Sequence, residues 1–250
     1  MTNLSLSKNL IIIPCYNEEY RLDVVSFSQF AIDFPNIYFF FVDDGSTDNT
    51  AIVLQKLSAA FDNIDFLILK KNVGKGEAIR SGVLFHKANA NEYNFIGYFD
   101  ADLSAPLSEI LNLITVCKKD PKIKFIMGIR LARLGANIQR NWHRHYLGRI
   151  FATFVSAILR MPVYDTQSGS KLIHSSIVFH LFKDPFISKW LFDVELLFRY
   201  KKATFQDKGL IVEIPLNEWV EKAGSKIKII NFFHAPFQLM RIWKHYKKIK

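Results

Sequence analysis

Short apolar runs alternate with longer amphipathic stretches along the first 130 residues of the chain. The runs are too continuous for strands that expose one side to water, so they predict a sheet that is covered on both faces. Strands are predicted at residues 10–14, 37–42, 64–69, 95–99 and 124–129, with helices near residues 18–32, 48–61, 76–87 and 107–118. This alternation predicts an α/β fold with a doubly wound, mostly parallel sheet.

The pattern changes after Arg130, where arginines gather beside aromatic and histidine residues. We predict a helix over residues 144–160, then a polar loop at residues 165–171 and a second helix near residues 192–201. A last strand is predicted at residues 210–215. Because no internal repeat or low-complexity linker divides the chain, we interpret residues 1–228 as one domain, with residues 130–228 as a distinct part of it.

Residues 229–250 form a basic tail with an amphipathic pattern. Between Lys226 and Lys250 the chain has seven Lys or Arg residues and no acidic residue. The apolar side of the pattern carries Leu239, Ile242, Trp243 and Tyr246. This spacing predicts a helix that starts at Pro236 and lies in a membrane interface, with its basic side towards the lipid headgroups. The alternative is a helix that packs on the domain and leaves its basic side in water.

The formal charge of the chain is +10, and its isoelectric point is near 9.5. Such a charge indicates an anionic partner, either a phosphate-bearing substrate, an acidic membrane surface or nucleic acid. The two cysteines, Cys15 and Cys117, match no disulfide or metal-ligand spacing, so we expect a reducing, cytoplasmic compartment. The N-terminal residues lack the apolar region of a secretory signal, and no stretch is long and apolar enough to span a bilayer.

Acidic residues follow two of the predicted strands. Asp100 and Asp102 come after the strand at residues 95–99, and Asp43 and Asp44 come after the strand at residues 37–42. Paired carboxylates form a hard oxygen site that suits Mg²⁺ or Mn²⁺ carrying a diphosphate. Because neighbouring strands of an open α/β sheet end at one crevice, a nucleotide site is expected there. For Asp43 and Asp44 the alternative is ordinary turn and helix-cap chemistry.

Seven short blocks run in order along the chain. They are I-P-C-Y-N-E (13–18), V-D-D-G-S-T-D-N-T (42–50), N-V-G-K-G-E-A (72–78), F-D-A-D-L (99–103), D-T-Q-S-G-S-K (165–171), F-D-V-E-L-L (192–197) and E-I-P-L-N-E-W with G-S-K-I (213–227). Together they resemble the family 2 inverting glycosyltransferases with the nucleotide-diphospho-sugar transferase (GT-A) fold. Within that family the likeness is to dolichyl-phosphate glucosyl- and mannosyltransferases, and the fifth and sixth blocks are more similar to the glucosyl branch.

The resemblance implies that these blocks hold a nucleotide-sugar donor. Asp102, with Asp100 beside it, would bind a divalent cation, Mg²⁺ or Mn²⁺, and through it the donor diphosphate, which makes Asp102 a catalytic residue. Lys226 would reach the diphosphate from a C-terminal loop. The other residues predicted to contact the donor are Pro14, Tyr16, Glu18, Asp43, Asp44 and Lys75. For Lys75 the alternative is a flexible turn that only starts a helix.

A lipid phosphate is the acceptor that the resemblance implies. Its second pKa is about 6, so it is largely dianionic at neutral pH and needs positioning rather than deprotonation. Arg130, Arg144 and Lys171 are predicted to clamp it, the two arginines acting as catalytic residues. A solvated arginine cluster is the alternative. A sugar hydroxyl would instead need a general base, for which Asp193 and Glu195 are the candidates, with Asp165 as a further candidate that would otherwise hold the loop at residues 168–170.

We therefore predict an inverting transferase that moves glucose from UDP-glucose to a polyprenyl or dolichyl phosphate on the cytosolic face of a membrane. The expected partners are the nucleotide sugar, the lipid, an anionic membrane surface and a membrane protein that assists the tail. Mannose from GDP-mannose, or transfer to a glycan hydroxyl, is the alternative. Nucleic acid is not expected, because the basic residues do not interleave with aromatic ones and the paired acids would repel phosphate.

Overall fold

The computed structural model describes residues 8–203, 209–222 and 230–248, with the side chains of all but residues 90, 144, 230–233 and 248. The strands are β1 Lys8–Cys15, β2 Ile37–Asp43, β3 Ile64–Ile68, β4 Tyr93–Tyr98, β5 Ile123–Ile129, β6 Asn137–Gln139, β7 Lys171–His174, β8 Leu210–Pro215 and β9 Glu218–Val220. The helices are α1 Val24–Asp33, α2 Thr50–Ser58, α3 Lys75–Phe85, α4 Ser108–Lys119, α5 Trp142–Leu159, α6 Ser175–Phe182, α7 Phe192–Lys202 and α8 Ile230–Lys248. A short 3₁₀ helix, Ala90–Glu92, precedes β4.

Seven strands form one sheet in the order β3-β2-β1-β4-β7-β5-β8. All neighbouring pairs are parallel except those of β7, which is antiparallel to both β4 and β5. The chain winds outwards from β1 to β3 and then returns to form β4 on the other side of β1. The predicted doubly wound, mostly parallel sheet is therefore confirmed, and its winding direction reverses between β1 and β4.

Both faces of the sheet are buried. On β1, Ile11 and Ile13 pack towards α1, α2 and α4, while Leu10 and Ile12 pack towards the face that holds α3 and α5–α8. On the first face, the ring of Phe27 in α1 meets two β2 phenylalanines edge-on at centroid distances of 5.0 and 5.2 Å. Each fully buried side chain of this size contributes about 1.5–3 kcal/mol, which explains why the strands are continuous apolar runs.

The first five predicted strands and the strand at residues 210–215 are confirmed, and the helices agree apart from their ends. The largest difference is at α1, which begins at Val24 instead of near residue 18. Asp23 caps it by accepting hydrogen bonds from the amide of Ser26 at 3.0 Å and from its hydroxyl at 2.7 Å. The preceding residues form a loop at the end of β1 in which Asn17 has a φ of 50°.

Three short strands and one helix were not predicted. β7 starts at Lys171, inside the stretch interpreted as a loop, and α6 follows it directly. β6 and β9 pair in parallel as a separate two-stranded sheet. These strands have only three or four residues each, too few for a periodic pattern. One local signal exists for β7: Gly97 in β4 faces it, and a Cβ there would overlap the carbonyl oxygen of Lys171.

The tail helix α8 packs on the domain, so two predictions about it are wrong. It begins at Ile230, with Pro236 inside it rather than at its start. Leu239, Ile242 and Tyr246 are buried in the same core as α7, so the face predicted to lie in a membrane is not available to lipid. The packing alternative holds instead. Among the described residues, no helix is both long and apolar enough to span a bilayer.

The packing of α8 predicts a stability difference between two substitutions on it. Ile242→Ala should lower the free energy of unfolding by about 2–5 kcal/mol, because Ile242 is fully buried and its truncation leaves a cavity. Met240→Ala on the exposed side is the matched control and should change it by less than about 1 kcal/mol. Urea unfolding of both variants measures the difference, and equal stabilities would contradict the packing.

Candidate active site

One cavity of about 480 Å³ opens where β1, β2 and β4 end, at the point where the winding of the sheet reverses. Open α/β sheets bind their ligands at this place, and the volume suits a nucleotide-sized molecule. Its walls come from the loops after β1, β2 and β4, the start of α3, and the segment between β5 and α7. β9 closes the far side. Of the sequence-predicted residues, it is lined by Pro14, Tyr16, Glu18, Asp44, Lys75, Asp100, Asp102 and Arg130.

The loops after β1 and β2 are tied together by reciprocal hydrogen bonds. The amide of Asn17 donates to the Ser46 hydroxyl at 2.9 Å, and the amide of Thr47 donates to the Asn17 side chain at 2.8 Å. The amide of Glu18 donates to the Thr50 hydroxyl at 2.8 Å. These bonds fix one rigid wall from two separate sequence blocks, and the left-handed conformation of Asn17 turns the chain into it.

Asp43 and Asp44 have different roles. Asp43 is buried within a turn, where it accepts the Ser46 amide at 2.9 Å, and it does not line the cavity. The turn alternative therefore fits Asp43, and its contact with the donor stays a prediction. Asp44 does line the cavity, and its two oxygens accept the amides of Val73 and Gly74 at 2.7 and 2.8 Å. Burial raises the pKa of Asp44 despite these hydrogen bonds.

Asp100 is held by Lys75 and by close backbone packing. The Lys75 ammonium, at the start of α3, forms an ion pair with Asp100 Oδ1. Burial opposes both charges, but their attraction outweighs it, so the pKa of Asp100 is lowered and that of Lys75 is raised. A Cβ at Gly169 would overlap the Asp100 carboxylate, so only glycine allows this loop to lie against it. The pair links the ends of β4 and β3–α3 to the 165–171 loop.

Asp102 faces the cavity more openly. Its Oδ1 accepts the amide of Ser104 at 3.0 Å, and its Oδ2 lies 3.7 Å from a guanidinium nitrogen of Arg21. The Asp102 side chain is 27% exposed, so one edge of its carboxylate is open to a ligand. Among the described residues, no group of three or more His, Cys, Asp or Glu side chains could hold a metal ion. A cation here would need ligand oxygens in addition to this carboxylate.

Across the cavity, Arg130 forms a two-pronged ion pair with Asp165. Its Nε and Nη2 donate to the two carboxylate oxygens at 2.7 and 2.8 Å, and the guanidinium lies over the Trp219 ring at 5.2 Å. Burial opposes both charges, but their attraction outweighs it, so the pKa of Asp165 is lowered and that of Arg130 is raised. Glu213 on β8 accepts the Asp165 amide at 3.0 Å and so fixes the loop to the sheet.

Lys171 is not available to an acceptor. Its side chain is fully buried, and its ammonium donates to the carbonyl oxygens of Thr166 and Ser168 at 3.0 and 2.5 Å and lies 2.7 Å from Asp193 Oδ1. The Tyr98 hydroxyl donates to the same oxygen at 2.5 Å. Because these partners use the three donors of the ammonium, the prediction that Lys171 clamps the acceptor phosphate is wrong. Lys171 instead ties the 165–171 loop to α7.

The remaining candidates separate as follows. Glu195 is fully buried and accepts the amides of residues 187 and 188 at 3.0 and 2.7 Å, so it organises the loop before α7 and cannot reach a substrate. Asp193 lines the cavity. Arg144 lies in the first turn of α5, but its side chain is outside what the structure describes. Lys226 also lies outside the described residues.

Sequence reasoning missed several cationic and aromatic residues that line the same cavity. They are Arg21, Arg140, Lys189, Trp190 and Trp219. The Arg140 guanidinium passes close to α5, 2.9 Å from where a Cβ of Gly148 would lie, and it helps to lower the pKa of Asp165. Arg140 belongs to the arginine accumulation noted after residue 130, which was the available signal. Nothing in the local sequence marks Arg21 or Lys189.

The cavity lies at the strand switch of the sheet and is lined by Asp100 and Asp102 together with Arg130 and Arg140, a lining that suits an anionic ligand such as a nucleotide diphosphate. The glycosyl transferase family 2 pattern matches residues 10–182, more than half of the chain, so the chain belongs to glycosyl transferase family 2. It is 28% identical to dolichyl-phosphate beta-glucosyltransferase ALG5D of Trichomonas vaginalis, over 94% of this chain and 73% of that protein. It is 31% identical to the human dolichyl-phosphate beta-glucosyltransferase, over 87% of this chain and 68% of that protein.

The fold is also similar to that of solved structures. Glucosyl-3-phosphoglycerate synthase from Mycobacterium tuberculosis, in complex with Mn²⁺, UDP and glucosyl-3-phosphoglycerate, matches with a TM-score of 0.66. The alignment covers 96% of this chain and 80% of that one, at 17% sequence identity. A complex of the same enzyme with Mn²⁺ and UDP-glucose also gives 0.66, at 17% identity over 96% of this chain and 79% of that one. The predicted family, the GT-A fold and the glycosyltransferase class are confirmed.

Proposed function

We propose that this enzyme transfers glucose from UDP-glucose to the phosphate of dolichyl phosphate or a related polyprenyl phosphate, with inversion at the sugar C1, on the cytosolic face of a membrane. One observation carries the proposal: Asp100, Asp102, Arg130 and Arg140 all line a single cavity. A diphosphate donor and an anionic acceptor can thus meet in one space. The names of the similar proteins specify glucose and dolichyl phosphate.

The donor side fits a divalent cation, Mg²⁺ or Mn²⁺. Among the described residues, seven acidic and six basic side chains line the cavity, so this lining offers no positive excess for a diphosphate. Asp102 would hold the cation with its exposed carboxylate edge, and diphosphate oxygens would complete the coordination. When bound, the cation supplies charge neutralisation for the departing UDP. The related fold that holds Mn²⁺ with UDP supports this assignment.

Asp100 and Lys75 are proposed to position the donor rather than to bind the metal. Lys75 already neutralises Asp100, whose carboxylate also lies directly against Gly169. The Lys75 ammonium is thereby held at the start of α3, on the cavity wall, where it can also attract a diphosphate oxygen. Asp44 fixes the turn that leads into Lys75 and lines the cavity, where it would accept a hydrogen bond from a base or ribose. Pro14, Tyr16 and Glu18 line the rest of the donor pocket.

On the acceptor side, guanidinium groups receive the lipid phosphate. Arg130 is oriented by Asp165, Glu213 and Trp219, which leaves its position little freedom. Arg140 lies on the same wall beside α5, and Arg144 is proposed to join them. A phosphate oxygen then attacks C1 as the bond from C1 to the UDP oxygen breaks. Since the phosphate is already largely dianionic at neutral pH, no proton has to be removed.

The arrangement of Asp193 disfavours a sugar hydroxyl as acceptor. Its Oδ1 is engaged by the Lys171 ammonium at 2.7 Å and by the Tyr98 hydroxyl at 2.5 Å. Because that oxygen already accepts from two donors, it is not free to accept the proton of a substrate hydroxyl. Glu195 is buried away from the cavity and Asp165 is held by Arg130, so none of these three carboxylates is well placed to act as the base. Mannose from GDP-mannose is tested against glucose in the donor screen below.

A donor screen with a variant control tests the function. Purified protein is given radiolabelled UDP-glucose, UDP-galactose or GDP-mannose, a short polyprenyl phosphate, and Mg²⁺ or Mn²⁺. We expect product lipid only with UDP-glucose, loss of product on chelation, and a loss of roughly a thousandfold in Asp102→Asn, because cation charge stabilisation is worth several kcal/mol. The matched control is Asp62→Asn at an exposed site outside the cavity. Product from GDP-mannose alone would refute the donor, and full activity of Asp102→Asn would refute the metal site.

A second prediction concerns the acceptor wall. Arg140→Gln should raise the KM for the lipid phosphate roughly 10- to 100-fold, because a hydrogen bond to a charged group contributes about 1.5–3 kcal/mol. The KM for UDP-glucose should change little. Arg133→Gln is the control, since Arg133 is exposed and donates to Asn217 outside the cavity. Steady-state kinetics with both substrates varied make the measurement, and an effect on the donor KM alone would contradict the assignment.

A further inference from the structure

The outer face of α5 carries a row of large apolar side chains that no other described residue covers. Trp142, Tyr146, Ile150 and Phe154 recur every four residues and are each 56–64% exposed. Leu147, which is 45% exposed, widens the row. Residues four apart are neighbours on a helix surface, so these side chains form one stripe along a helix about 27 Å long. A contiguous exposed apolar patch of this kind marks an interaction surface.

The inner face of the same helix belongs to the core and to the cavity. Val155 and Leu159 are fully buried, and Gly148 and Ala152 line the cavity wall next to Arg140. The stripe therefore lies directly across one helix from the acceptor side of the cavity. Whatever binds the stripe is held within a helix diameter, about 10 Å, of the proposed acceptor site.

The charge around the stripe selects the kind of partner. From Pro121 to Tyr164 the sequence has eight Lys or Arg residues and no Asp or Glu, although Arg130 and Arg140 line the cavity. One acid, Glu221, lies at the start of α5, where it accepts the Asn141 amide at 3.0 Å. Arg133 before α5 and Arg160 after it are both exposed. A helix face with Trp and Tyr among aliphatic residues, in a segment that has cations and no anions, complements an anionic lipid headgroup layer and the acyl boundary beneath it.

We infer that the outer face of α5 is the surface by which this enzyme docks on an anionic lipid bilayer. This inference rests on the proposed function for its purpose, because a lipid-linked phosphate lies at headgroup depth. Docking through α5 places the cavity, on the other side of that helix, beside the same layer. The stripe thus takes the role that the sequence pattern assigned to the tail, whose apolar face is buried by the domain.

Vesicle flotation of a triple variant tests the docking surface. The variant carries Tyr146→Ser, Ile150→Ser and Phe154→Ser, none of which lines the cavity. Vesicles of phosphatidylcholine with phosphatidylserine should retain the full chain, and the triple variant should bind them roughly tenfold or more weakly because it loses three apolar anchors. Binding of the unaltered chain should fall at high salt and on vesicles of phosphatidylcholine alone, because exposed charges are screened.

Two further variants make the outcome specific to α5. The matched control replaces Ile32, Ile52 and Ile68 with Ser; these are 49–61% exposed and lie on α1, α2 and β3. It should bind vesicles like the unaltered chain. The second variant replaces Phe237 and Met240, two apolar residues of α8 that are exposed, with Ser. The inference is overturned if the α5 variant floats as well as the unaltered chain, if the control or the α8 variant alone is released, or if the unaltered chain does not bind the vesicles.

Activity measurements separate this inference from the proposed function. With a short polyprenyl phosphate in solution, the α5 variant should turn over at the unaltered rate, which also shows that it is folded. With a long-chain lipid acceptor embedded in anionic vesicles, its rate should fall roughly tenfold, in line with the lost binding. An equal loss of rate on both acceptors would overturn the docking role. Salt-sensitive flotation without any sugar transfer would instead refute the proposed function and leave the docking surface standing.

Discussion

A buried ion pair between Lys171 and Asp193 joins the start of strand β7 to the start of helix α7. Lys171 starts β7, the one antiparallel strand of the main sheet, and Asp193 lies in the first turn of α7. Burying two charges is costly unless the geometry is good and the remaining hydrogen-bonding sites are filled. Here the carbonyl oxygens of the 165–171 loop and the Tyr98 hydroxyl fill them. The loop is therefore held in place beside β4, which ends at the acidic pair.

The position of that loop explains how the two proposed binding functions could share one cavity. The proposed donor wall is built by the ends of β1, β2 and β4, which any doubly wound sheet brings together. The proposed acceptor wall comes from an inserted strand: β7 enters between β4 and β5, and its preceding loop carries Asp165 to Arg130 and Gly169 to Asp100. A single insertion thus aligns a guanidinium with an acidic pair. α5, on the way into the insertion, contributes one face to this wall and leaves the other exposed.

Much of the fold and the donor side could be predicted from the sequence, because long buried strands appear as continuous apolar runs and acidic residues at their ends converge. The proposed acceptor side could not be predicted in this way. A lysine in a polar loop looks accessible, and the burial of Lys171 depends on a carboxylate that arrives later in the chain. The amphipathic pattern of α8 predicts only that one face of the helix is buried. It does not show whether protein or lipid covers that face, because both satisfy the same pattern. Asp43 and Asp44 look equivalent in the sequence. Only the folded turn after β2 distinguishes them, because Asp43 accepts an amide within that turn and Asp44 accepts an amide of the segment before α3.

The most direct test of this account is a double-mutant cycle on the central ion pair, measured as the free energy of unfolding in urea. Lys171→Met and Asp193→Leu should each destabilise the protein by about 3–5 kcal/mol, since each leaves a buried charge without its partner. The double variant should lose clearly less than the sum, with a coupling energy of about 2–3 kcal/mol. Losses that add to within about 0.5 kcal/mol would show that the two side chains do not depend on each other and would contradict the account.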